Sequence, residues 1–123
     1  MKKHWTLDDI DWGAFDPAKV NPDILRLVKA ASLVEQNGRD YATYLTNVFA
    51  DDAEFQEVAG DWAEEEVQHG QAFGRWAEMA DPGWSFAAAL ATFRAGYKLP
   101  LAAVESVRGS RTGELIARCI VET

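Results

Sequence analysis

The sequence contains very little cysteine. Cys119 is the only cysteine among the 123 residues, so these residues can form no internal disulfide and offer no pair of thiolates to zinc. A metal ion bound here must therefore be held by carboxylate and imidazole groups. Because free cysteine behaves as a small apolar residue, we expect Cys119 to be a buried, unreactive core thiol.

Positive charge and long apolar runs are also scarce. The chain has 20 acidic and 12 basic residues, for a net charge of −8, which repels phosphate backbones and anionic membranes. The longest apolar run, residues 86–91, falls far short of the ~20 residues that span a bilayer. No apolar segment follows Met1-Lys2-Lys3 as a signal peptide requires. We therefore predict a cytoplasmic protein that binds neither nucleic acid nor membrane.

Apolar and aromatic residues are abundant. Hydrophobic residues make up 48% of the sequence, with five Trp and six Phe, which is enough for the core of one domain. Helical spacing of these residues predicts an all-α fold built on an antiparallel helix hairpin, with a long crossover to a third helix. The predicted parts are an N-terminal arm (1–20), the hairpin (21–81), the crossover (82–110) and the start of a third core helix (111–123).

The second helix of the hairpin carries the most informative pattern. Asp51-Asp52-Ala53-Glu54 supplies a cap with an acid three residues on and so predicts its start, and the helix ends near Ala80. Large apolar residues recur at steps of three and four on one side, and the stripe consists of Phe55, Val58, Trp62, Phe73 and Trp76. Glu66 and His69 continue this stripe. Burying a carboxylate among aromatic rings costs several kcal/mol unless it is paired or binds a metal, so Glu66 and His69 predict a metal site.

The first helix of the hairpin contributes another acid. Asn21-Pro22-Asp23 predicts its start, and the apolar stripe continues to about residue 49 with Glu35 within it. Glu35 and Glu66 lie at similar distances along the chain from the intervening turn, so an antiparallel pair brings them to the same level. A salt bridge to a neighbouring helix is the alternative role for Glu35. Tyr41 borders the stripe, where its hydroxyl can form a hydrogen bond inward.

The crossover and the third helix are less regular. Ser85 is expected to cap a helix through Tyr97, and Pro100 to start a short helix through Val107. Ser110 is expected to cap the third helix. The predicted core residues of that helix are Leu115, Ile116, Cys119 and Ile120.

An internal echo supplies a fourth candidate ligand. The pattern Val-x-Ala-x-x-Leu-Val-Glu, which ends at Glu35, recurs as Leu-x-Ala-x-x-Ile-Val-Glu, which ends at Glu122. Glu122 thus occupies the same helical setting as Glu35. The alternative is that Glu122 is an ordinary acid at a fraying helix end.

These residues together resemble the ferritin-like di-iron carboxylate superfamily, and within it the rubrerythrin-like proteins. The resemblance implies a ferritin-like helical bundle in which Glu35, Glu66, His69 and Glu122 bind two iron ions, with manganese or zinc as other possible metals. It also implies reaction with dioxygen or peroxide, as a non-haem oxidoreductase or a ferroxidase. The family's fourth helix, with its second Glu-x-x-His pair, has no counterpart among these residues.

Two other functions fit the same residues. One is a metal-free helical interaction module, in which Glu35 and Glu66 form buried hydrogen bonds and exposed aromatic residues bind a partner. The other is a ferritin-like hydroxylase of an organic or RNA-borne substrate, which would use the same ligands. The acidic net charge weighs against the RNA-borne substrate.

We predict that the 123-residue chain forms a homodimer, because two complete amphipathic helices and a short third one leave apolar surface uncovered. Two hairpins related by a twofold axis would supply two copies each of Glu35, Glu66 and His69. Glu122 would then be redundant, so Glu122→Gln should leave metal loading intact. The alternative expectation is that a C-terminal half beyond these residues completes the bundle, in which case Glu122 is a ligand within one chain. Sedimentation with and without ferrous iron tests this prediction, which a monodisperse monomer with full metal loading would contradict.

Overall fold

The structure is a computed structural model that describes residues 4–122. Three short 3-10 turns, Leu7–Asp9, Trp12–Ala14 and Pro17–Lys19, precede the α-helices. The helices are α1 (Pro22–Gln36), α2 (Gly38–Val48), α3 (Ala53–Ala80), α4 (Phe86–Gly96) and α5 (Arg111–Glu122). Residues 4–122 contain no strand, so the predicted all-α class is confirmed. Over the same residues, none of the helices combines the length and apolar character required to cross a membrane.

The helix starts follow the capping signals in the sequence. At four helix starts the cap residue accepts a hydrogen bond from a backbone N–H in the first turn of its helix. The bonds are Asp23 N to Asn21 Oδ1 (2.8 Å), Phe55 N to Asp52 Oδ1 (2.9 Å), Ala88 N to Ser85 Oγ (3.2 Å) and Gly113 N to Ser110 Oγ (3.0 Å). Local chemistry therefore determines where these four helices begin.

The prediction of one continuous first helix, from 21 to about 49, is wrong. The structure has two helices there, and Asn37 lies between them as the C-cap of α1. Its backbone N–H donates to the carbonyls of Leu33 and Val34, each at 3.2 Å, which is typical of a helix end. The Asn37-Gly38 dipeptide is a recognised turn signal and marks this break in the sequence.

The short helix predicted from Pro100 to Val107 does not form. Residues 99–110 are turns, bends and irregular backbone. The Ala103 N–H donates to the carbonyl of Pro100 at 2.9 Å, which closes a single turn that is not extended into a helix. This segment instead provides polar groups that form hydrogen bonds within the second compact unit described below.

Contacts divide the chain into two compact units. The first comprises the described residues up to Gly38 together with Glu65–Lys98, and the second comprises Arg39–Glu64 together with the described residues from Leu99 onward. The helix α3 therefore contributes its N-terminal part to the second unit and its C-terminal part to the first. The predicted single ferritin-like domain stays a prediction.

In the first unit, α1 runs antiparallel to the C-terminal part of α3. Lys29 forms an ion pair with Asp81 at 2.7 Å, just beyond the end of α3. Further along the chain, Gln36 lies against Gly70. From Lys29 to Gln36 the residue number rises along α1, while the contacted residue number falls from Asp81 to Gly70. The two helices therefore run antiparallel. The helix α4 also belongs to this unit, where the Phe86 ring lies directly over Gly74.

The buried face of α3 differs from the predicted one. Small residues and Glu66 form the buried stripe, whose members are Ala59, Ala63, Glu66, Gly70, Gly74 and Ala77. This stripe is rotated by roughly 80° from the predicted aromatic stripe, at about 100° per residue. Val58 and Phe73, which were expected to face inward, are exposed. Small side chains permit close approach of neighbouring backbone, so they occupy the contact line and the large rings lie beside it or point away.

Two glycines allow this approach next to the candidate site. A Cβ atom at Gly70 would lie 2.6 Å from the backbone nitrogen of Gln36, and one at Gly38 would lie 2.6 Å from the Cβ of Glu66. Both distances are well below van der Waals contact. The end of α1 and the middle of α3 can therefore touch as they do only because neither position carries a side chain.

The second unit has its own apolar core. Tyr44, Leu45 and Val48 of α2 are buried together with Phe49, which directly follows the helix. Phe55 stacks on Phe49 with ring centroids 4.0 Å apart. The side-chain amide of Gln56 donates to the carbonyls of Thr46 and Phe49, each at 3.1 Å. The turn between α2 and α3 is thus closed by both apolar and polar contacts.

The helix α5 buries a different face from the predicted one. Cys119 is exposed, and so are the expected core residues Leu115, Ile116 and Ile120. The fully buried side chain of α5 is that of Glu114. The prediction of a buried Cys119 is therefore wrong, because α5 is held by a buried carboxylate in place of an apolar stripe.

The glycine contact provides a stability prediction with a control in the same helix. Gly70→Ala should lower the free energy of unfolding by about 1–3 kcal/mol, because the added methyl group meets backbone atoms of Gln36 that cannot move independently. Gly60 is also in α3, but a Cβ there would meet no atom within 4 Å. Gly60→Ala should therefore raise the free energy of unfolding by about 0.5–1 kcal/mol through helix propensity. Urea unfolding of both variants measures these changes, and effects of the same sign would contradict the close contact.

Candidate metal centre

Three of the predicted ligands lie in the first unit on two adjacent helices. Glu35 is in the last turn of α1, and Glu66 and His69 occupy consecutive turns in the middle of α3. Residues three apart on a helix project to the same side, so the Glu-x-x-His pair faces α1 as one group. The contact of Gly70 with Gln36 fixes the level at which Glu35 meets this pair.

The side chains of these residues converge on one point. His69 Nδ1 lies 3.5 Å from Glu35 Oε2 and 3.5 Å from Glu66 Oε1. One ligand atom from each residue lies within 4.8 Å of the other two. The predicted convergence of Glu35, Glu66 and His69 is thereby confirmed.

Burial increases from the imidazole to the carboxylates. The side chain of His69 is 35% exposed, that of Glu35 is 25% exposed and that of Glu66 is 10% exposed. Glu66 is therefore the best shielded of the three, and its neighbours Glu64 and Glu65 are exposed on the other side of α3. This difference in exposure favours Glu66 over Glu64 and Glu65 as a candidate ligand.

The group carries more negative charge than it can balance internally. A single imidazole, even when protonated, offsets one of the two carboxylates. Glu35 Oε2 is buried and accepts no hydrogen bond within the described structure, a costly state for a carboxylate oxygen. A cation between Glu35, Glu66 and His69 would satisfy this oxygen and neutralise the remaining charge.

The donor set suits particular metals. Two carboxylates and one imidazole are borderline-hard ligands that favour iron and manganese and also accept zinc. Because Nδ1 of His69 faces both carboxylates, it is the nitrogen positioned to bind a metal, and Nε2 would then carry the proton. The residues present therefore fit a divalent metal ion.

Glu122 is not brought into this group. Within residues 4–122, the group of side chains that could hold a metal ion consists of Glu35, Glu66 and His69. The Glu122 carboxylate lies 3.7 Å from Arg118 Nε, one turn earlier on α5. Its role as a fourth ligand stays an expectation from the family resemblance and the sequence echo.

The second unit contains a polar cluster that the sequence analysis largely missed. The buried Glu114 carboxylate accepts hydrogen bonds from the hydroxyls of Tyr41, of Tyr44 at 2.5 Å and of Ser106 at 2.8 Å. The expected inward hydrogen bond of Tyr41 is thus confirmed. No helical pattern indicated Glu114, since its partners come from α2 and from the irregular segment before α5.

Hydrogen bonding and burial act in opposite directions on these groups. Burial alone would raise the pKa of Glu114, but the hydrogen bonds from Tyr41, Tyr44 and Ser106 outweigh it and hold that pKa below its ordinary value. Burial and the hydrogen bond to Glu114 both raise the pKa of Tyr41 far above its ordinary value. The cluster therefore consists of an ionised carboxylate held by neutral hydroxyls.

Comparisons with known protein families, with curated proteins and with solved structures found no match. The arguments for function therefore come from the residues and geometry described above.

The Glu114 cluster leads to a pH-dependent prediction. Glu114→Gln should lower the free energy of unfolding at pH 7 by about 1–3 kcal/mol, because charge-assisted hydrogen bonds to a buried acceptor are weakened. Since the folded-state pKa is lowered, this stabilisation is complete above the unfolded pKa of about 4.3 and is lost as the pH falls through the folded value.

The difference between the wild type and Glu114→Gln should accordingly shrink as the pH falls below about 4.3. Urea unfolding from pH 7 to pH 3 measures it. Glu105→Gln, at an exposed position before α5, serves as the control and should change stability little at any pH. A difference that stays constant with pH would contradict the ionised state of Glu114.

Proposed function

We propose that this chain holds a dinuclear non-haem metal centre of the ferritin-like class, with iron as the metal, and acts as an oxidoreductase or a ferroxidase. The observation that carries the proposal is the convergence of Glu35, Glu66 and His69, with ligand atoms within 4.8 Å of one another. The buried Glu35 oxygen without a hydrogen bond supports it, because such an atom requires a cation or donor to offset its desolvation.

Each residue has a distinct role in this proposal. Glu66, the most buried ligand, lies closest to the helix contact at Gly38 and supplies the central carboxylate. Glu35 brings the opposing carboxylate from α1. His69 binds through Nδ1, which already faces both acids. Glu122 is proposed as a further ligand on the family resemblance alone.

Iron in such a site would supply one-electron redox chemistry toward dioxygen or peroxide. The protein contributes a partly enclosed set of carboxylates that can change their mode of binding as the metal changes oxidation state. It also limits access of water, since the Glu66 side chain is nine-tenths buried. These features suit repeated oxidation and reduction of a metal that stays bound.

The net charge of −8 is consistent with handling of ferrous ions. An acidic surface raises the local concentration of divalent cations and repels polyanions. This favours iron oxidation or iron-dependent redox chemistry over hydroxylation of an RNA-borne substrate.

The test compares two neighbouring acids of α3. Glu66→Ala should weaken ferrous iron binding by more than roughly 100-fold. Removing a group that merely hydrogen bonds to a ligand already lowers metal affinity about 10–100-fold, and removing the ligand itself should lower it further. Glu64→Ala, at an exposed position two residues earlier, should leave binding unchanged. Anaerobic equilibrium dialysis gives the affinities, and Mössbauer spectroscopy after exposure to air distinguishes a coupled iron pair from isolated ions.

Three outcomes would change the proposal. Equal losses in Glu66→Ala and Glu64→Ala would mean that Glu66 is the wrong acid. Binding of isolated ions would keep the metal site but contradict its dinuclear character. Absence of metal uptake by the wild type would overturn the metal centre and favour the metal-free helical interaction module.

A further inference from the structure

The N-terminal arm lies against the same turn of α3 that carries the metal ligands. The indole of Trp5 stacks on the imidazole of His69, with ring centroids 5.8 Å apart and an angle of 9° between the planes. The side-chain amide of Gln68 donates to the carbonyl of Trp5 at 2.5 Å. His4 Nδ1 lies 3.2 Å from a Glu65 carboxylate oxygen. Three residues of one α3 turn therefore hold the start of the arm.

Further contacts hold the arm along α3. Within the arm, Trp12 Nε1 donates to the carbonyl of Leu7 at 2.9 Å. The guanidinium of Arg75, a residue of α3, lies 4.3 Å from the centre of the Trp12 ring. Phe15 meets Trp76 edge to face, with centroids 6.1 Å apart. The arm is thus attached at successive turns of α3, and the position of Trp5 does not depend on one contact.

The stacking geometry is compatible with metal binding by His69. A metal binds an imidazole nitrogen through a lone pair in the plane of the ring, whereas a parallel indole covers the face of the ring. Trp5 and a metal ion therefore do not compete for the same part of His69. The stack leaves Nδ1 directed at Glu35 and Glu66, 3.5 Å from each.

The same geometry restricts how His69 can turn. The terminal torsion of a histidine side chain is broad and roughly two-fold, so the ring of a half-exposed histidine can rotate away from its ligands. Rotation of the ring out of its plane would break the parallel contact with Trp5, whose carbonyl accepts a hydrogen bond from Gln68 of α3. Stacking thereby fixes the plane of the ring, in which a metal ligand presents its lone pair.

We propose that Trp5 is a positioning residue that holds the His69 imidazole in its metal-binding orientation and covers one face of that ring. The inference rests on the proposed metal centre. It adds a residue from the N-terminal arm, far from Glu35, Glu66 and His69 in sequence. Trp5 is 38% exposed, so its outer edge also separates the His69 ring from solvent.

The experiment uses cobalt(II), whose visible spectrum reports the coordination of the metal. Trp5→Ala should weaken cobalt binding about 10-fold, in the range found when groups that orient metal ligands are removed, and should alter the visible bands. Trp5→Phe, which keeps an aromatic ring for stacking, should restore both affinity and spectrum. Trp84→Ala removes an indole that contacts Lys29 and Phe86 and should leave both unchanged.

Proton NMR of the metal-free protein gives a separate measurement. Stacking on an indole shifts the His69 ring protons upfield, and Trp5→Ala should remove that shift. The inference is overturned if wild-type protein binds cobalt and Trp5→Ala matches it in affinity and spectrum, or if Trp84→Ala causes an equal loss. Absence of cobalt binding by the wild type would instead overturn the proposed function, and this inference with it.

Discussion

The close contact between the end of α1 and the middle of α3 is the constraint on which the candidate site depends. Gly70 lets α3 lie against the backbone of Gln36, and Gly38 lets Glu66 lie against the start of α2. With larger residues at these positions the helices would separate, and carboxylates on facing helices would no longer reach one imidazole. The absence of a side chain at Gly70 and Gly38 thus allows the side chains of Glu35, Glu66 and His69 to meet.

The break at Asn37 belongs to the same arrangement. Ending α1 at this residue places Glu35 in a last turn, where the helix dipole is unfavourable to a carboxylate. The structure keeps two acids next to one imidazole and leaves a buried oxygen of Glu35 without a hydrogen bond. Local energetic cost of this kind is concentrated at functional sites, where a ligand removes it. The Glu114 cluster shows the opposite case, since its buried carboxylate is satisfied by three hydroxyls.

The sequence predicted the parts of the fold that depend on local chemistry. The caps at Asn21, Ser85 and Ser110 are correct because capping involves only a few adjacent residues, whereas α3 is capped by Asp52, one residue after the Asp51 that its capping-box pattern indicated. The sequence also predicted that Glu35 meets Glu66 and His69, although the single helix assumed between Glu35 and the turn is broken at Asn37 and the contact of Gly70 with Gln36 fixes the level instead.

Apolar periodicity predicted the wrong buried helix face where small residues or polar pairs control packing. The aromatic stripe of α3 suggested the wrong buried face, because close approach selects Gly70 and Gly74 over Phe73. On α5, the buried position belongs to Glu114, whose partners are distant in sequence and leave no repeating pattern. The stacking of Trp5 on His69 was equally inaccessible, because no spacing rule connects an irregular arm to a particular helix turn.

The exposure of Cys119 affects how association of this chain must be measured. A surface thiol can be oxidised, and the 123 residues contain no second cysteine. A disulfide formed at Cys119 with another copy would therefore link two chains covalently. In air, such a crosslink would make the protein sediment with the mass of a dimer even if the two copies share no complementary surface. Only association that persists in the presence of a reducing agent therefore reflects noncovalent affinity between copies.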